Sequence, residues 1–103
     1  MSDQKEPRAL SQAQFKSSGF ETHEYVPITD EGVFIGKLDL KVWGNQSNLI
    51  SFITLYDGRK IRCNTYPSNN YLGIDKISVE SILELHFAKT SRGNLGLTRI
   101  IGI

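Results

Sequence analysis

The chain has 103 residues, with 12 Lys and Arg against 11 Asp and Glu and a formal net charge of +1. That length admits one domain with a modest core, and 39% hydrophobic with 22% charged residues excludes a disordered composition. A charge this close to neutral excludes a nucleic-acid role carried by bulk charge, so any such role rests on local clusters of Lys and Arg. The single cysteine, Cys63, excludes an intramolecular disulfide and suits a reducing compartment.

The first residues are polar and charged, without an apolar run. The expectation is a cytoplasmic protein with no secretory signal and no membrane contact. Residues 1–18 are rich in Ser, Gln and charge and are expected to form a flexible N-terminal arm. Within it, Leu10, Ala13 and Phe15 offer one amphipathic turn behind Ser11. Residues 19–103 are expected to form a single domain.

Phe20 to Ile28 reads as an extended segment, ended by Pro27 and the turn residues Thr29 to Gly32. Val33 to Trp43 alternates strictly and predicts a half-buried strand. Phe34, Leu38, Leu40 and Val42 share one face; Lys37, Asp39, Lys41 and Trp43 share the other. Gly36 within it predicts a bulge or bend. A turn over Gly44 to Asn48 leads to a second strand, Leu49 to Tyr56.

Asp57 and Gly58 signal a hairpin into a third strand, Lys60 to Tyr66. A two-residue turn pairs Phe52 with Cys63 and makes Phe52 core. A three-residue loop through Arg59 pairs Leu55 with Ile61 and Ile53 with Cys63. The second register, which sets apolar against apolar, is preferred, and it leaves Phe52, Thr54, Tyr56, Lys60, Arg62, Asn64 and Tyr66 outward. Pro67 to Asn70 breaks the strand, and an irregular or short helical link follows over Tyr71 to Ser78. The fourth strand is Ser81 to Lys89, with a helix over 78–86 capped by Ser78 as the competing reading. After a turn at Ser91 to Asn94, the last strand runs from Leu95 to Ile103.

The order is three strands, a link, then two strands. The segments GKLDLKVWG and ISFITLYDGRKI, with SILELHFAKTSRGNLGLTRI, resemble the opening and closing strands of oligonucleotide/oligosaccharide-binding (OB) fold domains. The resemblance spans residues 32–103 and implies a mainly β chain, built as a small five-stranded Greek-key barrel. A simple open sheet or an SH3-like barrel competes with it. The resemblance also implies a ligand face on the second and third strands and the adjoining loops.

On the preferred register that face combines the rings Trp43, Phe52, Tyr56 and Tyr66 with the cations Lys37, Lys41, Lys60 and Arg62. Arg59, Lys89 and Arg92 extend it. Rings stack bases and cations neutralise phosphates, so single-stranded DNA or RNA is the expected partner. An accessory role in DNA replication, recombination or repair goes with it. A protein–protein adaptor is the alternative, because Tyr, Trp and Arg also dominate interface hot spots. The state is either monomer or homodimer.

No catalytic constellation is visible, and the expectation is a non-enzyme without cofactor or metal. His23 and His86 lie far apart and offer no metal-ligand spacing. Cys63 reads as a small core residue, and the glycines form no phosphate-binding loop.

Overall fold

The structure, a computed structural model, describes residues 9–89, 93 and 95–103. Five antiparallel strands form one sheet: β1 (Gly32–Trp43), β2 (Leu49–Leu55), β3 (Lys60–Thr65), β4 (Ile82–Lys89) and β5 (Leu95–Gly102). Their order across the sheet is β3-β2-β1-β4-β5. Helix α1 (Gln12–Ser18) precedes them, and a 3-10 link, Pro67–Lys76, joins β3 to β4. The protein is mainly β, as expected. Of residues 78–86, where a helix competed, 82–86 belong to strand β4. Among the described residues no backbone hydrogen bond joins the edge strands β3 and β5, so the sheet is not closed into a barrel.

β1 occupies the middle because its two halves serve different neighbours. Gly32 to Lys37 pair with β4, whereas Gly36 to Trp43 pair with β2. Gly36 causes no register shift. It permits close approach instead: a Cβ there would stand 2.8 Å from Ile53 Cγ2 and 2.9 Å from the Thr54 carbonyl. The bulge lies at Asp39. Leu38 pairs with Ile53 and Leu40 with Phe52, so Asp39 is the extra residue.

One extra residue inverts every side chain beyond it. Leu38 lies in the main core with Ile53, Leu55, Ile61, Leu83 and Leu85. Beyond the bulge, Leu40 and Val42 turn to the opposite face and join a second cluster around Phe52 and Tyr25. Lys41 turns inward and is 1% exposed. The strict alternation expected through Trp43 therefore holds only to Leu38.

The β2–β3 hairpin has a three-residue loop, Tyr56 to Gly58, one residue earlier than expected. The Leu55 N–H donates to the Arg59 carbonyl at 2.8 Å, and Gly58 takes φ 95°, the left-handed position that closes such a loop. Ile53 thus faces Ile61, and Ser51 faces Cys63. The shift moves the partner by two residues, so the expected faces survive: Ile53, Leu55, Ile61 and Cys63 are buried.

Part of the segment expected as an arm forms regular structure. Leu10 bridges to Val42 in parallel. Ser11 caps α1: its hydroxyl accepts from the Gln14 N–H, while the Gln14 side chain accepts from the Ser11 N–H. Gly19, at φ 73°, ends the helix. Phe15 and Phe20 then pack on Phe52 from outside the sheet, with ring centroids at 6.0 and 5.9 Å. Tyr25 meets the same ring edge-on at 5.2 Å.

Candidate functional site

The structure divides the expected ligand face. Phe52, expected outward, is only 4% exposed, because Phe15, Phe20 and Tyr25 cover it. Its strand orientation is as expected; its burial comes from a second layer that strand periodicity does not register. Lys41 departs for a different reason, the Asp39 bulge. Its ammonium donates to the carbonyls of Ile74, Asp75 and Ile77 at 3.2, 3.2 and 2.6 Å. Those acceptors make a buried cation tolerable and fasten the link to β1. Burial pushes its pKa down to about 8, opposed by nearby Asp75.

Trp43 is half-buried, with its ring edge-on to Tyr71 at 5.5 Å. Arg59 is bound to Asp57 at 2.9 Å and to Asp30 at 3.1 Å, and lies over the Phe34 ring. The carboxylate of Asp57 raises the Arg59 pKa, while the Arg59 N–H lowers that of Asp57. Lys60 reaches Glu24 at 3.2 Å and lies over the Tyr25 ring. Arg59 and Lys60 are exposed or half-exposed, yet their charges are already answered within the chain.

Lys37 is exposed on β1 between Thr54 and Ile82. Tyr56, 71% exposed, stands in the hairpin loop. Lys89 is exposed at the end of β4, where its backbone N–H donates to Glu31. Arg92 lies outside the described residues.

Arg62 and Tyr66 come together with residues the sequence did not single out. They line a cleft of about 310 Å³ between β3 and β5, together with Asn64, Asn69, Phe87 and Leu97. The cleft exists because of how β3 loses its outer neighbour. Val26 runs parallel to β3: its N–H donates to the Lys60 carbonyl and its carbonyl accepts from the Arg62 N–H, at 3.2 and 3.0 Å. Pro27 follows and has no N–H to continue the ladder. Lys60 and Arg62 direct their backbone groups away from β2, so by the two-residue period Asn64 does likewise. Among the described residues nothing pairs with the Asn64 backbone on that side.

Arg62, Asn64 and Tyr66 alternate along one edge and are all exposed, with Tyr66 at 47%. Among the described residues the Arg62 guanidinium has no hydrogen-bond or ion-pair partner. Asn64 Oδ1 accepts from Asn48 at 2.8 Å, which ties the β1–β2 turn to the cleft rim. On the floor, Cys63 is buried and its thiol is pushed up to about 12 by desolvation, so it is an unreactive thiol rather than a nucleophile. The cleft therefore offers a cation, side-chain amides, an exposed ring and an apolar floor. Asn69 was missed because asparagine in a sequence reads first as a turn former; Asn64 was placed outward on the third strand but not counted among the ligand contacts, because rings and cations define the expected ligand face. The one usable signal was Pro27, which ends the outer pairing of β3.

Among the described residues no group of three or more His, Cys, Asp or Glu is placed to hold a metal ion. No helix there is long and apolar enough to cross a membrane. Comparison with protein-family models, curated proteins and solved structures finds no match to this chain.

Proposed function

We propose that the chain is a single-stranded nucleic-acid-binding module, with the cleft between β3 and β5 as its track. The observation that carries this reading is the row Arg62, Asn64 and Tyr66, exposed on alternate residues along edge strand β3 and the extended residue that follows it. Alternate strand residues stand about 7 Å apart, a spacing comparable to the phosphate repeat of an extended single strand. Arg62 supplies the phosphate contact, Tyr66 the stacking surface, and Asn64 and Asn69 the hydrogen bonds to base edges. The return of β4 to lie beside β1 supports a Greek-key, OB-like architecture, with the cleft as the seam where a closed barrel would join. In that reading the module is an accessory factor in DNA replication, recombination or repair. Lys37, Tyr56 and Lys89 are secondary contributors, whereas Lys41 and Phe52 are structural.

The test is fluorescence anisotropy of labelled single-stranded DNA and RNA oligonucleotides at low and near-physiological salt. Micromolar binding that weakens with salt is expected. Tyr66→Ala should weaken it about tenfold or more, as loss of one stacked base does. Arg62→Ala should lower the salt slope by about one. Absence of binding at low salt would overturn the proposal.

A further inference from the structure

Asn64 carries two sets of polar groups, and the fold engages only one. Its side-chain Oδ1 accepts from Asn48 at 2.8 Å. Its main chain lies on the outer edge of β3, turned away from β2, beside the cleft. Among the described residues neither its N–H nor its carbonyl has a partner there. The edge is occupied on both sides of this residue. Toward the hairpin, Val26 takes the Lys60 carbonyl and the Arg62 N–H at 3.2 and 3.0 Å. Toward the link, the Tyr66 carbonyl accepts from the N–H groups of Asn69 and Tyr71 at 3.2 and 3.0 Å. Asn64 is therefore the residue of this edge, among those described, with both main-chain groups open to the cleft.

The N–H and carbonyl of one extended residue point to the same side, and in an antiparallel ladder they exchange two hydrogen bonds with one partner residue. A nucleobase can take that partner's place, because its Watson–Crick edge sets a donor beside an acceptor. The surroundings favour a base over an added peptide strand. Strand addition draws its affinity from a run of main-chain bonds. Here the run is cut short by Pro27 and Ile28 at one end and Asn69 at the other, all of which line the cleft. At about 310 Å³ the cleft stands at the lower limit of small-ligand sites, a volume suited to one planar group. Phe87 and Leu97 give it an apolar floor, and no described carboxylate lines it, whereas the Arg62 guanidinium stands at its rim. The charge thus matches a phosphate-linked ligand.

We infer that the Asn64 main chain reads the Watson–Crick edge of one unstacked base; the assignment rests on the nucleic-acid function proposed above and names its base-reading group. A base paired edge-on with Asn64 lies in the plane of the sheet edge. One of its faces then turns to Phe87 and Leu97, and the other to the side on which Arg62 and Tyr66 stand. One donor and one acceptor suit either order of groups on the base, since the base can turn over. The site therefore tolerates sequence but requires a free edge, and a duplex, whose edges are already paired, is refused.

The test compares two labelled strands by fluorescence anisotropy with the full chain at low salt: oligothymidylate, and the same strand built from N3-methylthymine. The N3–H is the only hydrogen-bond donor of thymine in a strand. The methyl group removes it and leaves the phosphates and the ring face in place. The methylated strand should bind about tenfold or more weakly, the loss expected for a bidentate base contact. Asn64→Ala, with folding checked by circular dichroism, keeps the main chain and should keep that ratio. Equal binding of the two strands overturns the inference and leaves the nucleic-acid function standing. A ratio that collapses in Asn64→Ala also overturns it, since the side chain is then the reader. No binding of the unmodified strand overturns both.

Discussion

Asp39, the residue left over when β1 pairs with β2, receives the hydroxyl of Tyr25 on its carboxylate at 2.9 Å. The same Oδ2 accepts from the Thr54 hydroxyl. The bulge that inverts half of β1 is thereby tied to the segment that covers the inverted half. The arrangement has a reason in polar accounting: a carboxylate set between a strand pair and an aromatic cluster needs donors, and these two hydroxyls provide them.

Removing those partners should therefore cost stability. Tyr25→Phe is expected to lose about 1.5–3 kcal/mol, the range for a hydrogen bond to a charged group. Asp39→Ala should lose at least as much, since it leaves two hydroxyls without their acceptor. Urea denaturation of the single and double variants should give a coupling above about 0.5 kcal/mol. Additive losses would mean that the contact is energetically silent.

Phe52 separates the two possible roles of a ring on the outer face. Buried beneath Phe15, Phe20 and Tyr25, it should cost about 3–5 kcal/mol on replacement by Ala. Tyr56, 71% exposed, should change stability by no more than about 0.5 kcal/mol on the same replacement. Denaturation midpoints decide this directly. A near-neutral Phe52→Ala would mean that the N-terminal segment does not cover the ring in solution.

The buried ammonium of Lys41 has a signature in pH. Its pKa falls from 10.5 to about 8 on folding, so between those values the unfolded chain holds more protons. Stability then rises with pH across that window, and the gain is lost as pH falls through 8. Cys63 and Tyr25 act oppositely. Both are raised to about 12, from 9.0 and 10.0, so their contribution is present below those ordinary values and fades as pH climbs toward 12. The interval from pH 8 to 9 belongs to Lys41 among these three. There, the midpoint of the wild-type chain should rise with pH, while that of Lys41→Met should stay flat. An equal slope in the two proteins would place the Lys41 charge in contact with water.

The local pattern was sufficient for much of this molecule. Alternation in LISFITL and ILELHFAK, with the turn residues Asp57 and Gly58, indicated β2, a hairpin after it and β4 in preference to a helix, while the hairpin loop itself lies one residue earlier than the pattern placed it. Of the two registers it left open, the preferred one, with Ile53, Leu55, Ile61 and Cys63 inward, is the one the structure adopts in its facing. Such features depend on neighbours two residues away or on a glycine's access to left-handed φ, both of which are written in the chain. Of α1 the sequence offered only an amphipathic turn behind Ser11, inside a segment expected as a flexible arm; the Ser11–Gln14 capping pair came from the structure.

Tertiary structure alone decided the rest. Asp39 looks like any polar member of an alternating strand, because a bulge depends on where the partner strand must pair and not on the residue's own preference. From that single insertion follow the burial of Lys41 and the outward turn of Val42. Phe52 was oriented correctly by period-two reasoning but covered by residues more than 25 positions earlier, a long-range contact that no local pattern encodes. The cleft of Arg62 and Tyr66 arises in the same way, where Pro27 ends the cover on one edge strand and the far edge of the sheet comes near.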